Sequence, residues 1–518
     1  MSSVTTDPGA TPLSHSQDPG SRRARQNALK NLSLPKPLPT AIAVGLALVI
    51  WFVIPVPAKV SPHAWHLFAL FIGTIAAIIG KAMPLGALSV IAIALVALTQ
   101  VTNPGKPAAA LTDALSGFAN PLIWLIVSAV MVALSLTKTG LGKRIGYYFI
   151  MLLGKKTLGV AYGLVASELV IAPVTPSNTA RGGGVIHPIM RSIADSYDSS
   201  PEKGTSKRIG RYLALINYNA NPISSAMFIT ATAPNPLCVE LIAKATNSSI
   251  QISWGQWALA ALLPCLVMML VMPLVLYALY PPEIKETPAA RELATRELEK
   301  LGPMKIEEKI TFAVLVFMLI VWAGIPAWIF GRAFTLDPTT VAVAGLSVLL
   351  VSGVLEWEDI LKARSAWDTL MWFAALVMMA TFLGKLGLTT WFSQTIQAGI
   401  SGMALDWKLS AALLVAVYFY AHYFFASTTA HVTAMFAAFF AAGIALGAPP
   451  MLLGLLLAFS SSLNMSLTHY ATGTAPIIFG SGYITLEEWW LAGFVMSLVN
   501  IAILVVVGGV WWSMLGYL

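Results

Sequence analysis

The chain has 518 residues, of which 57% are hydrophobic and only 10% charged, and its mean hydropathy is +0.76. Soluble domains carry about 25% charged residues, so a water-soluble globular fold is excluded, and the short alternating segments of a membrane β-barrel are absent. The formal net charge of +8 is gathered in particular loops, as topology signals are, rather than along a nucleic-acid-binding stripe.

Residues 1–37 are rich in Ser, Pro, Thr and Gly, with basic Arg22, Arg23 and Arg25, and are expected to be a disordered cytoplasmic tail. No apolar core with a small-residue cleavage site precedes the first apolar run, so a removable secretory signal is not expected. Runs long enough to cross about 30 Å of hydrocarbon follow at 38–55, 63–80, 83–101 and 119–137. Lys81 follows the second run, and Lys138, Lys143, Arg144, Lys155 and Lys156 follow the fourth. The positive-inside rule puts these loops and the N-terminus in the cytoplasm.

Residues 157–189 are apolar as far as Ala172 and are then broken by the string TPSNTARGGG at 175–184. Both flanks are basic, the second carrying Arg191, Lys203, Lys207, Arg208 and Arg211, so the segment reads as a re-entrant hairpin. Spans at 209–232 and 254–281 lead to a charged cytoplasmic loop, 283–309. Spans at 310–330, 338–355 and 366–384, a second broken hairpin at 409–446, and spans at 450–470 and 488–515 complete the chain. Cys238 and Cys265 fall in or near apolar runs and read as unpaired core residues. The expected fold is all-α: eleven transmembrane helices and two re-entrant hairpins, with the C-terminus outside.

Three local matches relate two halves of the chain. Lys138-Thr139-Gly140-Leu141 resembles Lys385-Leu386-Gly387-Leu388, 247 positions on. Ser177 and Ser427 stand at the same place in the two breaks, 250 apart, and Ala231-Thr232 resembles Ala471-Thr472, 240 apart. The matched fourth and ninth spans are an odd number of spans apart, so the repeats, 63–282 and 310–518, are expected to be inverted, with 38–62 an extra first span. Broken, polar backbone at membrane depth is tolerated where protein buries it or where it lines a cavity, and paired breaks in two halves point to a transporter site.

Superposing the breaks aligns Ser177, Asn178 and Thr179 with Ser427, Thr428 and Thr429, and Arg181 with His431. Thr232, Thr472 and Gly473 at the later match complete the expected substrate-binding set. Hydroxyl and amide donors with a cationic group at each tip suit a substrate with two separated carboxylates. No constellation for hydrolysis is present, since Glu168 is the main acidic residue within the spans, and an intramembrane hydrolase is the reading set aside. No catalytic residue, cofactor or nucleic-acid partner is expected.

Ser177-Asn178-Thr179 and Ser427-Thr428-Thr429, with the fuller strings APVTPSNTARGGG, YFFASTTAHVTA and LTHYATGTAPIIFGSGYI, resemble the divalent anion:sodium symporters. The likeness is nearest their di- and tricarboxylate antiporter branch, with its citrate/succinate and tartrate/succinate antiporters and plastid 2-oxoglutarate/malate translocator. The resemblance implies an elevator-type transporter, a homodimer in the bilayer of a bacterial inner membrane, and C4-dicarboxylate or related substrates. It also maps Na⁺ in coupled members near Ser177, Asn178 and Ala231, and near Thr428 and Ala471, with Thr428 in place of the family's asparagine.

Arg181, and His431 if protonated, would take the place of coupling cations and stay when the substrate leaves. An unpaired charge at the bilayer centre costs at least about 2.5–3.5 kcal/mol, slowing an empty return roughly a hundredfold or more. Obligate exchange without a Na⁺ requirement is therefore the expectation, and Na⁺-coupled dicarboxylate symport the alternative.

Overall fold

The computed structural model describes residues 34–400 and 406–517; all but the last four residues of the expected N-terminal tail lie outside them. The first half runs α1 (Pro37–Leu48), α2 (Pro62–Ile79), α3 (Leu85–Thr99), α4 (Pro121–Thr139), α5 (Leu141–Leu153), α6 (Thr157–Ile171), α7 (His187–Ser196), α8 (Gly210–Met227), α9 (Pro234–Ala245) and α10 (Trp254–Leu279). After α11 (Pro288–Leu301) come α12 (Ile306–Trp322), α13 (Pro338–Val351), α14 (Arg364–Lys385), α15 (Leu388–Ile400), α16 (Trp407–Ala421), α17 (Thr428–His431), α18 (Ala437–Ala445), α19 (Pro450–Leu463), α20 (Thr474–Phe479) and α21 (Leu486–Ile503). No β-strand occurs among the described residues. Seven of their helices are long and apolar enough to cross a membrane.

Local chemistry sets many of the starts. Proline opens α1, α2, α4, α9, α11, α13 and α19, where its missing N–H would have no intrahelical acceptor anyway. Ser61 accepts from Ala64 N and Asn120 from Leu122 N, and Ser253 with Gln256, like Thr485 with Glu488, forms a reciprocal cap. The stretch expected as one span at 209–232 stops at Met227, because Pro234 and Pro236 must begin a new helix rather than continue the old one. The expected span 310–330 likewise divides, ending as a separate helix at Ile325–Phe330 beyond Gly324, which has φ +76°.

Elements from α2 onward recur in order from α12. Gly140 before α5 and Gly387 before α15 both take left-handed backbone, at φ +83° and +86°. The arms α6 and α16 both end in a 3₁₀ turn, Ala172–Val174 and His422–Phe424, followed by non-helical residues 175–177 and 425–427. Both second arms contain a π-helical stretch, Thr179–Ile186 and Val432–Phe436. Helices α8 and α19 are each followed by a 3₁₀ turn and irregular backbone, before α9 and α20 resume.

Polar α8 is buried along nearly its whole length, with Asn217, Asn219, Asn221, Ser224 and Ser225 all inside. Other helices supply its packing partners: α6, α10 and α19 surround it. Close approaches elsewhere depend on missing side chains. A Cβ at Gly117 would lie 2.0 Å from the Ala374 carbonyl oxygen of α14. Gly117→Ala is expected to lower stability by about 1–3 kcal/mol through overpacking, measured as an earlier unfolding midpoint in detergent; an unchanged midpoint would show that α14 is free to shift.

Candidate binding site at the helix breaks

The breaks at 175–177 and 425–427 meet the irregular backbone after α8 and α19 around a cavity of about 230 Å³. It is lined by Pro176, Ser177 and Asn178 from the first break, by Ala426, Ser427, Thr428 and Thr429 from the second, and by Thr232, Ala233, Pro234, Thr472 and Gly473. Val130 of α4 and Ser365 and Thr369 of α14 close it. Among the described residues, no ionisable side chain lines it. Its size is below the about 300–1,000 Å³ of drug-sized pockets and suits a ligand of a few carbon atoms.

Helix beginnings replace charged side chains. Helix α9 and the arm of the second break begin at the cavity-lining residues Pro234 and Thr428, and the arm starting at Thr179 and short α20 starting at Thr474 each begin one residue after a lining residue, Asn178 and Gly473. Each longer helix presents unpaired N–H groups and roughly +0.5 of an elementary charge at its N-terminus, a ready anion site. Ser177 Oγ accepts from Ala180 N at 3.2 Å and Ser427 Oγ from Ala430 N at 3.4 Å, so each hydroxyl keeps its hydrogen to donate. Thr428 Oγ1 is buried with no partner among the described residues. Asn178 Nδ2 donates to Thr472 Oγ1 at 2.8 Å, joining the first tip to the break after α19.

Arg181 does not face this space. It is fully buried, and all five guanidinium N–H groups are used by the protein. Nε donates to Glu168 Oε1 at 2.6 Å, Nη1 to the carbonyls of Thr175 and Ala231 at 2.7 and 3.0 Å, and Nη2 to Ser224 Oγ and Ser225 Oγ at 3.2 and 2.9 Å. Glu168 is equally buried and also accepts from Asn221 Nδ2 and Ser224 Oγ. The expectation that Arg181 grips a carboxylate, and carries an unpaired charge, is therefore corrected: its donors are spent and Glu168 offsets its charge. The guanidinium also occupies the Ala231 carbonyl, near which Na⁺ was mapped by resemblance.

His431 is also fully buried and away from the cavity lining. Its Nδ1 lies 3.1 Å from Asn464 Nδ2 and 3.3 Å from His422 Nδ1, and its ring stacks on Tyr418 at 4.3 Å. His422, which the sequence reading passed over, sets its Nε2 3.2 Å from the Ala471 carbonyl oxygen. Ala471 is the repeat partner of Ala231, so a cationic or N–H-bearing side chain caps the matched carbonyl in each half. A histidine inside the apolar run YFYAHYFF was the available signal.

Ser177, Asn178, Thr232, Ser427, Thr428, Thr429, Thr472 and Gly473 come together at the cavity. Thr179 stands behind it against Gly473, where a Cβ would lie 2.6 Å from Thr179 Oγ1. Gly182 packs on Asn221 and Thr474, and Gly183 on Ile477, so these two glycines of the first break serve close packing. Ser365 and Thr369 had no sequence signal beyond being hydroxyls near the start of a helix.

A family model described as the sodium:sulfate symporter transmembrane region matches residues 36–518. The chain belongs to that family. Like its relatives, this sodium:sulfate symporter family member is a multi-pass membrane transporter and not an enzyme. YflS of Bacillus subtilis, a candidate malate transporter by name, is 48% identical over 481 residues, covering 93% of this chain and 97% of its own. The chloroplastic dicarboxylate transporter 1 of Arabidopsis thaliana is 44% identical over 93% of this chain and 83% of its own. The L-tartrate/succinate antiporter of Shigella sonnei is 34% identical over 91% and 96%. In fold, the chain resembles the Alcanivorax borkumensis YdaH transporter, with a TM-score of 0.54 at 14% identity over 83% of this chain and 98% of that one.

Removing Arg181 alone strands a buried carboxylate. Arg181→Met is expected to cost about 3–5 kcal/mol of stability, and Arg181→Met with Glu168→Leu to recover most of it, both read from unfolding midpoints. A single variant as stable as the parent would show that the pair is not what holds the break.

Proposed function

We propose that this protein exchanges C4-dicarboxylates across the membrane without a requirement for Na⁺. The observation that carries the reading is the uncharged cavity ringed by helix N-termini, with a covalent nitrogen already on each matched carbonyl behind it: Arg181 at Ala231 and His422 at Ala471. Paired tips offer each end of a short dianion hydroxyl and N–H donors. The names of the malate, dicarboxylate and tartrate/succinate relatives support the same substrate class.

Exchange follows from what an empty cavity would leave behind. Arg181 is neutralised by Glu168, so the obstacle to an empty return is no longer a bare guanidinium. It is the set of unpaired N–H groups and hydroxyls, Thr428 Oγ1 among them. Each such group left without a partner away from water costs about 1–3 kcal/mol, and two of them are enough to slow the return at least about tenfold. A second dicarboxylate pairs them again, and the L-tartrate/succinate antiporter among the relatives supports this mode.

The motion we propose is of elevator type. The broken pairs α6–α7 and α16–α18 act as re-entrant hairpins of inverted repeats within eleven spans, and the protomer pairs as a homodimer in a bacterial inner membrane, with its N-terminus in the cytoplasm and its C-terminus outside. The closeness of Lys138 at the end of α4 to Asp359, 2.6 Å away and just before α14, supports opposite directions for those two matched helices.

Reconstituted vesicles test the transport reading. Labelled succinate is expected to enter only vesicles preloaded with dicarboxylate, at a rate unchanged when choline replaces Na⁺. Rapid entry into unloaded vesicles driven by a Na⁺ gradient would instead establish symport.

A further inference from the structure

We infer that Ser365 and Thr369 of α14 recognise a hydroxyl on the carbon chain of the substrate, and so favour hydroxylated C4-dicarboxylates over succinate. This rests on the dicarboxylate reading of the cavity and extends it from the ends of the ligand to its middle.

The cavity lining divides by origin. Its helix breaks contribute residues in repeat-related pairs, such as Ser177 with Ser427 and Thr232 with Thr472. Such pairs suit the two like ends of a dicarboxylate. The remaining wall comes from α4 and α14, which are also repeat mates but are chemically unlike: α4 gives Val130, and α14 gives two hydroxyls. Those hydroxyls have no carboxylate assigned to them by the pairing, which leaves the carbon chain between the ends for them to meet.

Ser365 and Thr369 are four residues apart and so share one face of α14. Thr369 is nearly buried, and its Oγ1 donates to the Ser365 carbonyl at 2.7 Å. With that hydrogen committed, Thr369 Oγ1 offers only lone pairs. Ser365 is exposed, and its hydroxyl has no hydrogen-bond partner among the described residues. One side chain therefore accepts while the other is free to donate. A substrate hydroxyl does both; a keto oxygen only accepts, and a methylene does neither. A site that hydrogen-bonds a substrate hydroxyl discriminates against the analogue lacking it more strongly than an apolar wall can.

Counterflow in vesicles containing the full chain, with labelled malate and labelled succinate as probes, tests this. Thr369→Val keeps the shape, and Ser365→Ala removes only the hydroxyl. Each is expected to lower the preference for malate over succinate, read as the ratio of their KM values, about tenfold. Thr369→Ser, which keeps the hydroxyl, is expected to keep that ratio. Equal changes for both substrates, an unchanged ratio, or a Thr369→Ser variant as impaired as Thr369→Val would overturn the inference. A parent chain that carries neither malate nor succinate would overturn the dicarboxylate reading itself, a result separable from an intact succinate exchange with no malate effect.

Discussion

A guanidinium with no route to water ties together the backbone on which the cavity is built. Arg181 binds Glu168 on the first arm of its own helix pair, the Thr175 carbonyl where that arm has just ended, Ser224 and Ser225 of α8, and the Ala231 carbonyl beyond α8. Two carbonyls freed by helix breaks thereby find donors away from water, where leaving them unpaired would cost several kcal/mol. The breaks persist because the arginine satisfies them, and the arginine is tolerated because Glu168 offsets its charge. The cavity sits on the other side of this knot.

That division of labour separates charge from recognition. Formal charges lie behind the tips, paired and buried; the surface offered to a ligand is made of hydroxyls, an amide and helix N-termini. A dianion bound there interacts with fixed dipoles that need not reorganise when it leaves. The second half repeats the plan with weaker parts: His422 on the Ala471 carbonyl replaces the guanidinium, and its neighbour His431 replaces a carboxylate. The two halves are thus alike in backbone and unlike in electrostatics.

Much of this was legible in the sequence where the cause is local. Proline at 173, 176, 234 and 236 falls in close pairs and marks the breaks, whereas Pro222, Pro264 and Pro273 sit inside continuous α8 and α10, so the positions of the first tip and the later break could be read from clusters rather than from proline alone. The repeat showed in Gly140 and Gly387 because a left-handed turn at each needs glycine. What could not be read was the direction of side chains. Arg181 meets Ser224 and Ser225 more than forty positions away, so no spacing rule announces that its donors are spent. Glu168 stood out as an isolated acid, yet its partner is thirteen residues on and across a break. The alignment of His431 with Arg181 was sound as sequence and misleading as chemistry, since the carbonyl-capping role in the second half falls to His422 at the end of the preceding arm.

We propose that side-chain nitrogens hold the places of coupling cations, so that substrate binding needs none. The most direct measurement is the unfolding midpoint of the purified protein with and without succinate, in choline buffer and in Na⁺ buffer. Succinate is expected to raise the midpoint equally in both. Stabilisation by succinate that appears only when Na⁺ is present would contradict it.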